Sequence, residues 1–411
     1  MVGKTAVIGA GIVGLSSALA LQRAGRSVLL IDPARETPPA SWGNAGHVAI
    51  EQVVPLASLA TLRSAPRRLA IRGGALGLPP REIARWLPFA LRLARASTPR
   101  RHAEGHAVLA ELLGAAMPAW RRLSASLPRD GLLLENGHAV VWHDPRAAAE
   151  GLAAWQASDT GTARFHVADA DERAALGQVM ARPPTAAIIF ENTGQVADPG
   201  AVGAALRAAF QAAGGAIVTD AVRAIESEAG RAVLRLASGT RLSPAEVVMA
   251  AGVESGELLS PLGLRVPIIA ERGYHVQAVR HRWPAGMPPV VFEERSMIVT
   301  AFESGLRAAG FVEFGSLGKP GNPRHWETLE RHVAELGLPV DGPVTRWVGA
   351  RPTLPDYLPA IGRAPQADNL FYAFGHQHLG LTLVPLTGEI VAEMIIGGVS
   401  GNPVLTLARF K

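Results

Sequence analysis

The first thirty residues constrain this chain more than any other stretch. Thr5-Ala6-Val7-Ile8 reads as a short apolar strand, and glycines at 9, 11 and 14 punctuate the turn after it. Ile12 and Val13 open a helical run to Ala24-Gly25, and Ser27 to Ile31 forms a second apolar strand that ends on Asp32. In such a strand-turn-helix, Gly9 permits the tight turn, Gly11 admits a pyrophosphate to the backbone, and Gly14 lets helix and strand pack closely. The helix N-terminus offers N–H groups and the positive end of its dipole to phosphate. An acid about 20 residues downstream can accept hydrogen bonds from ribose hydroxyls. The motif lies between strand and helix with Asp32 in register, so it predicts a dinucleotide site in a βαβ unit.

A chain of 411 residues is long enough for two domains. With 40 basic against 35 acidic residues the formal charge is +5, too small an excess to argue for nucleic acid. Cysteine is absent, which excludes disulfides and thiolate metal sites. No charged region precedes the first apolar strand, so a cleavable signal is not expected, and no run of 18 apolar residues predicts a membrane span. The expected location is cytoplasmic, with peripheral contact with the inner membrane as a further expectation.

That contact rests on residues 80 to 101, where Trp86, Leu87 and Phe89 share a helical segment with Arg81, Arg85, Arg92 and Arg95, interrupted by Pro88. A basic amphipathic helix of this kind can lie on an anionic membrane surface or dock by its apolar side. Pro33 to Ala40 reads as a turn-rich link, and Ser41-Trp42-Gly43-Asn44-Ala45-Gly46-His47 as a loop of small residues that lets backbone approach a flat ligand. Helical patterning runs from about His106 to Leu127, and Asp198-Pro199 starts a helix with a cap and a first-turn proline. Glu246 to Gly252 reads as a buried strand ending on small residues, and residues 265 to 315 alternate as an antiparallel sheet. Near the C-terminus Asn369 to Phe374 forms a strand, Gly375 to Thr382 a turn, and Leu383 to Ile396 a helix, a second helix N-terminus open to an electron-rich group. His376 and His378 have no carboxylate or third histidine at ligand spacing, so no metal is expected.

Taken in order, Gly9 to Asp32, Ser41 to Gly46, Gly194 to Pro199, Ala250 to Gly252, Gly349 to Pro352 and Gly375 to Thr382 resemble the FAD-dependent amine oxidoreductases of the D-amino acid oxidase, glycine oxidase and sarcosine oxidase superfamily, nearest to the small-subunit type of D-amino acid dehydrogenase. The resemblance touches both ends and the middle of the chain, and is more specific to the superfamily than to a substrate. It implies an α/β fold: a Rossmann-like FAD-binding domain, discontinuous in sequence, with a second, mainly antiparallel substrate domain. The expected division is an FAD domain at 1–60, 136–262 and 346–411, a helical insertion at 61–135 and a substrate sheet at 263–345.

The resemblance also implies site roles. Gly9, Gly11, Ile12, Val13 and Gly14 would hold the FAD pyrophosphate, and Asp32 the adenosine ribose. Ser41, Asn44, Ala45 and Gly46 would line the flavin, and Val222 would meet the adenine by its backbone. Ala251 and Gly252 would turn beneath the pyrophosphate. Gly349 and the segment His378, Leu379, Gly380, Leu381 and Thr382 would border the ring. Arg351 would bind the substrate carboxylate, its planar fork suiting a two-pronged pair; an interdomain salt bridge is the alternative role. Tyr274 and His378 complete the expected catalytic set.

Members with covalent flavin use cysteine or histidine, and no histidine here matches an attachment position, so non-covalent FAD is expected. The implied reaction is hydride transfer from Cα of a D-amino acid, with D-proline and hydroxy-D-proline among the candidates, and electrons passing to a quinone or other acceptor. An oxygen-using oxidase of the glycine or sarcosine type, a flavoprotein acting on transfer RNA, and a non-catalytic interaction protein are the rival readings.

Overall fold

The computed structural model describes residues 3–34, 39–69 and 74–410, so four residues of the Pro33 to Ala40 link lie outside the described residues. The βαβ unit is present: strand Thr5–Ile8, helix Ile12–Arg23 and strand Val28–Asp32. These strands sit inside a six-stranded sheet ordered Ala216–Thr219, Val28–Asp32, Thr5–Ile8, Glu246–Met249, Leu370–Phe374 and Ala360–Arg363. The first five run parallel and the last is antiparallel at the edge. Parallel strands must be covered on both faces, which is why they read as unbroken apolar runs. Helices Pro199–Ala212, Ile12–Arg23 and Gly380–Ile396 cover one face. A meander of Val222–Glu228, Arg231–Leu236 and Arg241–Leu242 covers the other, with Ile225, Leu234 and Leu242 against Ala6, Ile8 and Val247.

The helix Gly380–Ile396 is apolar nearly all round, and with its preceding turn is the one stretch among the described residues long and apolar enough to cross a membrane. It serves instead as a core helix. Gly388 is where it crosses Ile12–Arg23: a methyl group there would stand 2.9 Å from the Ser16 carbonyl oxygen, and the Ser16 hydroxyl donates to Val384 O.

The second sheet has nine strands and is mixed, mostly antiparallel. The long strand Ile269–His281 lies next to one edge of it, flanked antiparallel by Gly305–Gly315 and the edge strand Val340–Thr353. Two expected boundaries move. His138–Trp142, Phe165–Val167 and Ala186–Phe190, assigned from sequence to the FAD domain at 136–262, join this sheet, because His138–Trp142 pairs parallel with Val290–Phe292. The boundary at 345 falls inside Val340–Thr353, whose whole length pairs with Ile269–His281.

The helical insertion comprises Leu59–Arg68, Ile83–Ala96 and Pro99–Ser126. The last starts a full two turns before the expected His106, with Pro99 in its first turn. It buries Leu109, Leu112, Leu113, Met117 and Trp120, and the Trp120 indole donates to Leu381 O and Thr382 O. This last helix is therefore docked on the C-terminal core helix.

Candidate active site

The glycine-bearing turns that follow Thr5–Ile8, Glu246–Met249 and Leu370–Phe374 lie where these parallel strands end at their carboxyl termini, the crevice in which open α/β sheets bind nucleotides. Gly9 has φ +102°, and a methyl group on it would stand 2.6 Å from Ala250 O, so the turns after Thr5–Ile8 and Glu246–Met249 touch. One on Gly14 would stand 1.9 Å from Gly9 O, which brings helix and strand into direct backbone contact. Gly11 and Gly252 differ: around Gly11 only the Ser41 hydroxyl comes near, at 3.7 Å, and around Gly252 the space is open. Asp32 accepts from Ala10 N at 3.1 Å, and Thr219, beside it in register, leads into the turn before Val222. The helix at Ile12 has no side-chain cap from Gly11, and the Ser41 hydroxyl accepts from Ile12 N at 3.3 Å. Close-packed glycines with an open lip at Gly11 and Gly252 fit an FAD pyrophosphate, with Asp32 placed for a ribose.

The loop at 40–46 carries the expected flavin-side residues. The Asn44 side chain accepts from Gly46 N at 2.7 Å, and Arg307 clamps the loop by donating to Trp42 O and Asn44 O. Burial lowers the Arg307 guanidinium to about 10, against the opposing charge of Asp198, so it stays a cation at neutral pH. Trp347 lies against this loop, its ring where a methyl group on Gly43 or Gly349 would be, about 2 Å away, and it stacks on His275 at 4.8 Å. Thr382 accepts from Ala49 N and so ties the stretch Gly375 to Thr382 to the segment after the loop.

Arg351 stands on the wall of a cavity of about 620 Å³ that Asn44, Ala45, Gly349, His378 and Leu379 also line. It lies opposite Glu271 in the register of adjacent strands, and its Nη1 donates to Glu271 Oε1 at 3.3 Å and to Phe311 O at 3.4 Å. Glu271 is buried and also accepts from the Thr353 and Tyr357 hydroxyls. Arg351 Nη2 lies over Gly273, 2.4 Å from where a methyl group would sit. The ion pair of Arg351 is thus within one sheet and not between domains.

Backbone strain concentrates here. Of the five non-glycine residues with positive φ among the described residues, Ser296, Phe311, Tyr357 and Gln377 line this cavity. Such conformations cost of order 1–3 kcal/mol each and gather where a site demands a fixed geometry. Gln377 links two of them, donating to Tyr357 O and accepting from His378 N.

His378 Nε2 meets Gln52 Oε1 at 2.5 Å, and burial, then the charge of Arg351, hold the imidazole neutral by lowering it to about 3 against the pull of Glu51. His376 turns elsewhere, to the Thr387 hydroxyl at 3.0 Å. Tyr274, expected in catalysis, lines the cavity, but its hydroxyl donates to Glu313 Oε1 and accepts from Asn322 N, and its ring is buried against His325 and Trp326. Gly46, Leu381 and Thr382 are buried and do not line the cavity, Gly46 lying against the Phe302 ring. Sequence reasoning missed Glu271, Arg307 and Trp347, which alternate along strands like any sheet residues; only their pairing brings them to the site.

Comparison with known proteins agrees with this arrangement. The family described as FAD dependent oxidoreductase matches residues 4–394. The chain is 30% identical to a D-amino-acid oxidase of Bradyrhizobium diazoefficiens over 99% of its own length and 97% of the relative. It is 32% identical to D-amino acid dehydrogenase 2 of Pseudomonas aeruginosa, over 96% and 95% of the two chains. Among solved structures, glycine oxidase from Geobacillus kaustophilus superposes with a TM-score of 0.76 at 19% identity, covering 99% of both, a likeness of fold alone. With its glycine turns meeting at one end of the parallel sheet and an arginine-lined cavity beside them, the chain belongs to the FAD dependent oxidoreductase family.

Proposed function

We propose that this protein oxidises a D-amino acid at Cα, holding the substrate by its carboxylate on Arg351. The product imine is hydrolysed to a 2-oxo acid and ammonia, or released as a cyclic imine when the substrate is D-proline or a hydroxy-D-proline. The carrying observation is the Arg351 guanidinium on the cavity wall, with Nη1 anchored on Glu271 and Nη2 laid across Gly273. FAD, bound without a covalent link, supplies a two-electron acceptor. The chain supplies orientation and electrostatics. Glu271 fixes the plane of the fork, so a carboxylate meets a preorganised donor pair. His378, held neutral, adds no competing cation beside Arg351.

Anaerobic bleaching of the flavin-loaded protein against D-amino acids, sarcosine and glycine tests the reading. D-Amino acids should bleach the flavin, and Arg351→Ala should raise the apparent KM at least about 100-fold, the loss of a charge-assisted pair. An unchanged KM in this variant would overturn the carboxylate role.

The acceptor proposed is a membrane quinone. On helix Ile83–Ala96, Phe89, Leu93 and Ala96 dock inward while Ile83, Leu87 and Leu91, spaced i, i+4, i+8, are 43–57% exposed. Val54, Leu56 and Leu59 add exposed apolar surface, and Val54 and Leu56 also line the cavity. An apolar stripe among arginines supports contact with the cytoplasmic face of an anionic inner membrane. Peroxide produced stoichiometrically under air would favour instead an oxygen-using amine oxidase.

A further inference from the structure

One wall of the cavity carries a buried cluster that the proposed reaction does not use. His47 lies on strand His47–Val48, Glu51 four residues later, and His138 begins strand His138–Trp142. Each contributes one ligand-type atom, and the three atoms lie within 4.8 Å of one another. All three residues line the cavity.

Each histidine is held by its Nδ1. His47 Nδ1 faces Gly194 O at 3.1 Å, and a carbonyl can only accept, so Nδ1 carries the hydrogen and Nε2 keeps its lone pair in the neutral ring. That lone pair points at Glu51 Oε1, 3.1 Å away. His138 Nδ1 is engaged by the hydroxyl of Thr193, the residue before Gly194. A second partner on one ring nitrogen fixes the orientation of the other, as in metal-bound histidines. The remaining Glu51 oxygen is buried with no hydrogen-bond partner. Two lone-pair atoms facing each other at hydrogen-bond distance require a cation between or beside them, either a proton or a metal ion. Ligands at about 2.0–2.2 Å around a tetrahedral ion stand about 3.3–3.6 Å apart, so the three atoms, which lie within 4.8 Å of one another, would close on the ion by at most about 1.5 Å.

We propose that His47, Glu51 and His138 bind one divalent transition-metal ion, with a further coordination position directed into the cavity. Two imidazoles and one carboxylate suit zinc or a similar ion, whereas magnesium and calcium prefer sites made of oxygens alone. The inference rests on the geometry of the cluster and not on the identity of the substrate.

Flavin-loaded protein, stripped with a chelator and dialysed, is titrated with Co²⁺ and read by difference absorption against the flavin, with Zn²⁺ measured by calorimetry. One equivalent of Co²⁺ with the intense visible bands of a four- or five-coordinate ion is expected. His138→Asn and Glu51→Gln should each weaken binding at least about tenfold with flavin content and melting temperature retained, while His281→Ala, on the far end of the second sheet, should not. No saturable Co²⁺ or Zn²⁺ binding to the parent protein, or binding unaltered in both cluster variants, would overturn the site and leave a hydrogen-bonded His47–Glu51 pair only. Should one variant lose its flavin, His47→Gln provides the same comparison.

Discussion

Gly273 is the position where one methyl group carries most information. Its φ lies outside the left-handed region, so alanine suits the backbone, but the new carbon would meet Arg351 Nη2 at 2.4 Å. Gly273→Ala should displace the guanidinium while Glu271 keeps its hydroxyl partners. Steady-state kinetics should show an apparent KM raised by about tenfold or more, with bound flavin unchanged; a normal KM would mean that the guanidinium binds no carboxylate there. At this scale legibility follows chain distance. Gly9, Gly11, Gly14 and Asp32 act within one local unit, and their spacing declares them. The pairing of Arg351 with Glu271 spans 80 residues and exists only because two strands align in one register. Tyr274, polar and aromatic in an alternating stretch, had no local sign that its hydroxyl turns toward Glu313.

Among elements, helix Ile83–Ala96 separates what patterning reveals from what packing chooses. Its amphipathicity is legible, but two apolar stripes share it, and only the tertiary contacts show that Phe89 and Leu93 dock on Phe314 and Ile269 while Ile83, Leu87 and Leu91 face out. Leu91→Glu should therefore change stability by no more than about 0.5 kcal/mol. The same substitution should abolish sedimentation with anionic vesicles, which high salt should also reduce; retained sedimentation would remove this face from membrane contact. Strand His138–Trp142 shows the opposite limit. Its existence is plain from sequence, yet the sheet it joins is set by a parallel pairing with residues about 150 positions away, beyond any local pattern.

For the whole molecule, buried histidines set the response to acid. Burial lowers His376 to about 4 and, with the charge of Arg307 or Arg351 adding to it, His275 and His378 to about 3, against an ordinary value of 6.5. As pH falls below 6.5 the unfolded chain takes up protons that the folded one refuses. Stability is therefore full above that pH and declines toward 4 by up to about 1.4 kcal/mol per pH unit for each histidine. The melting temperature of the flavin-loaded protein should fall by several degrees between about pH 7 and about pH 5, and His376→Gln should flatten the slope. A melting temperature independent of pH over that range would refute this assignment. By itself the sequence determined the nucleotide-binding βαβ unit, the order of apolar strands and helices, and the family, because these depend on residues close together in the chain. The tertiary structure decided which strands belong to which sheet, that Glu271 seats Arg351, and that His47, Glu51 and His138 meet. Those outcomes depend on strand register and on which apolar faces cover one another, and both are settled only when segments far apart in the chain compete to be buried.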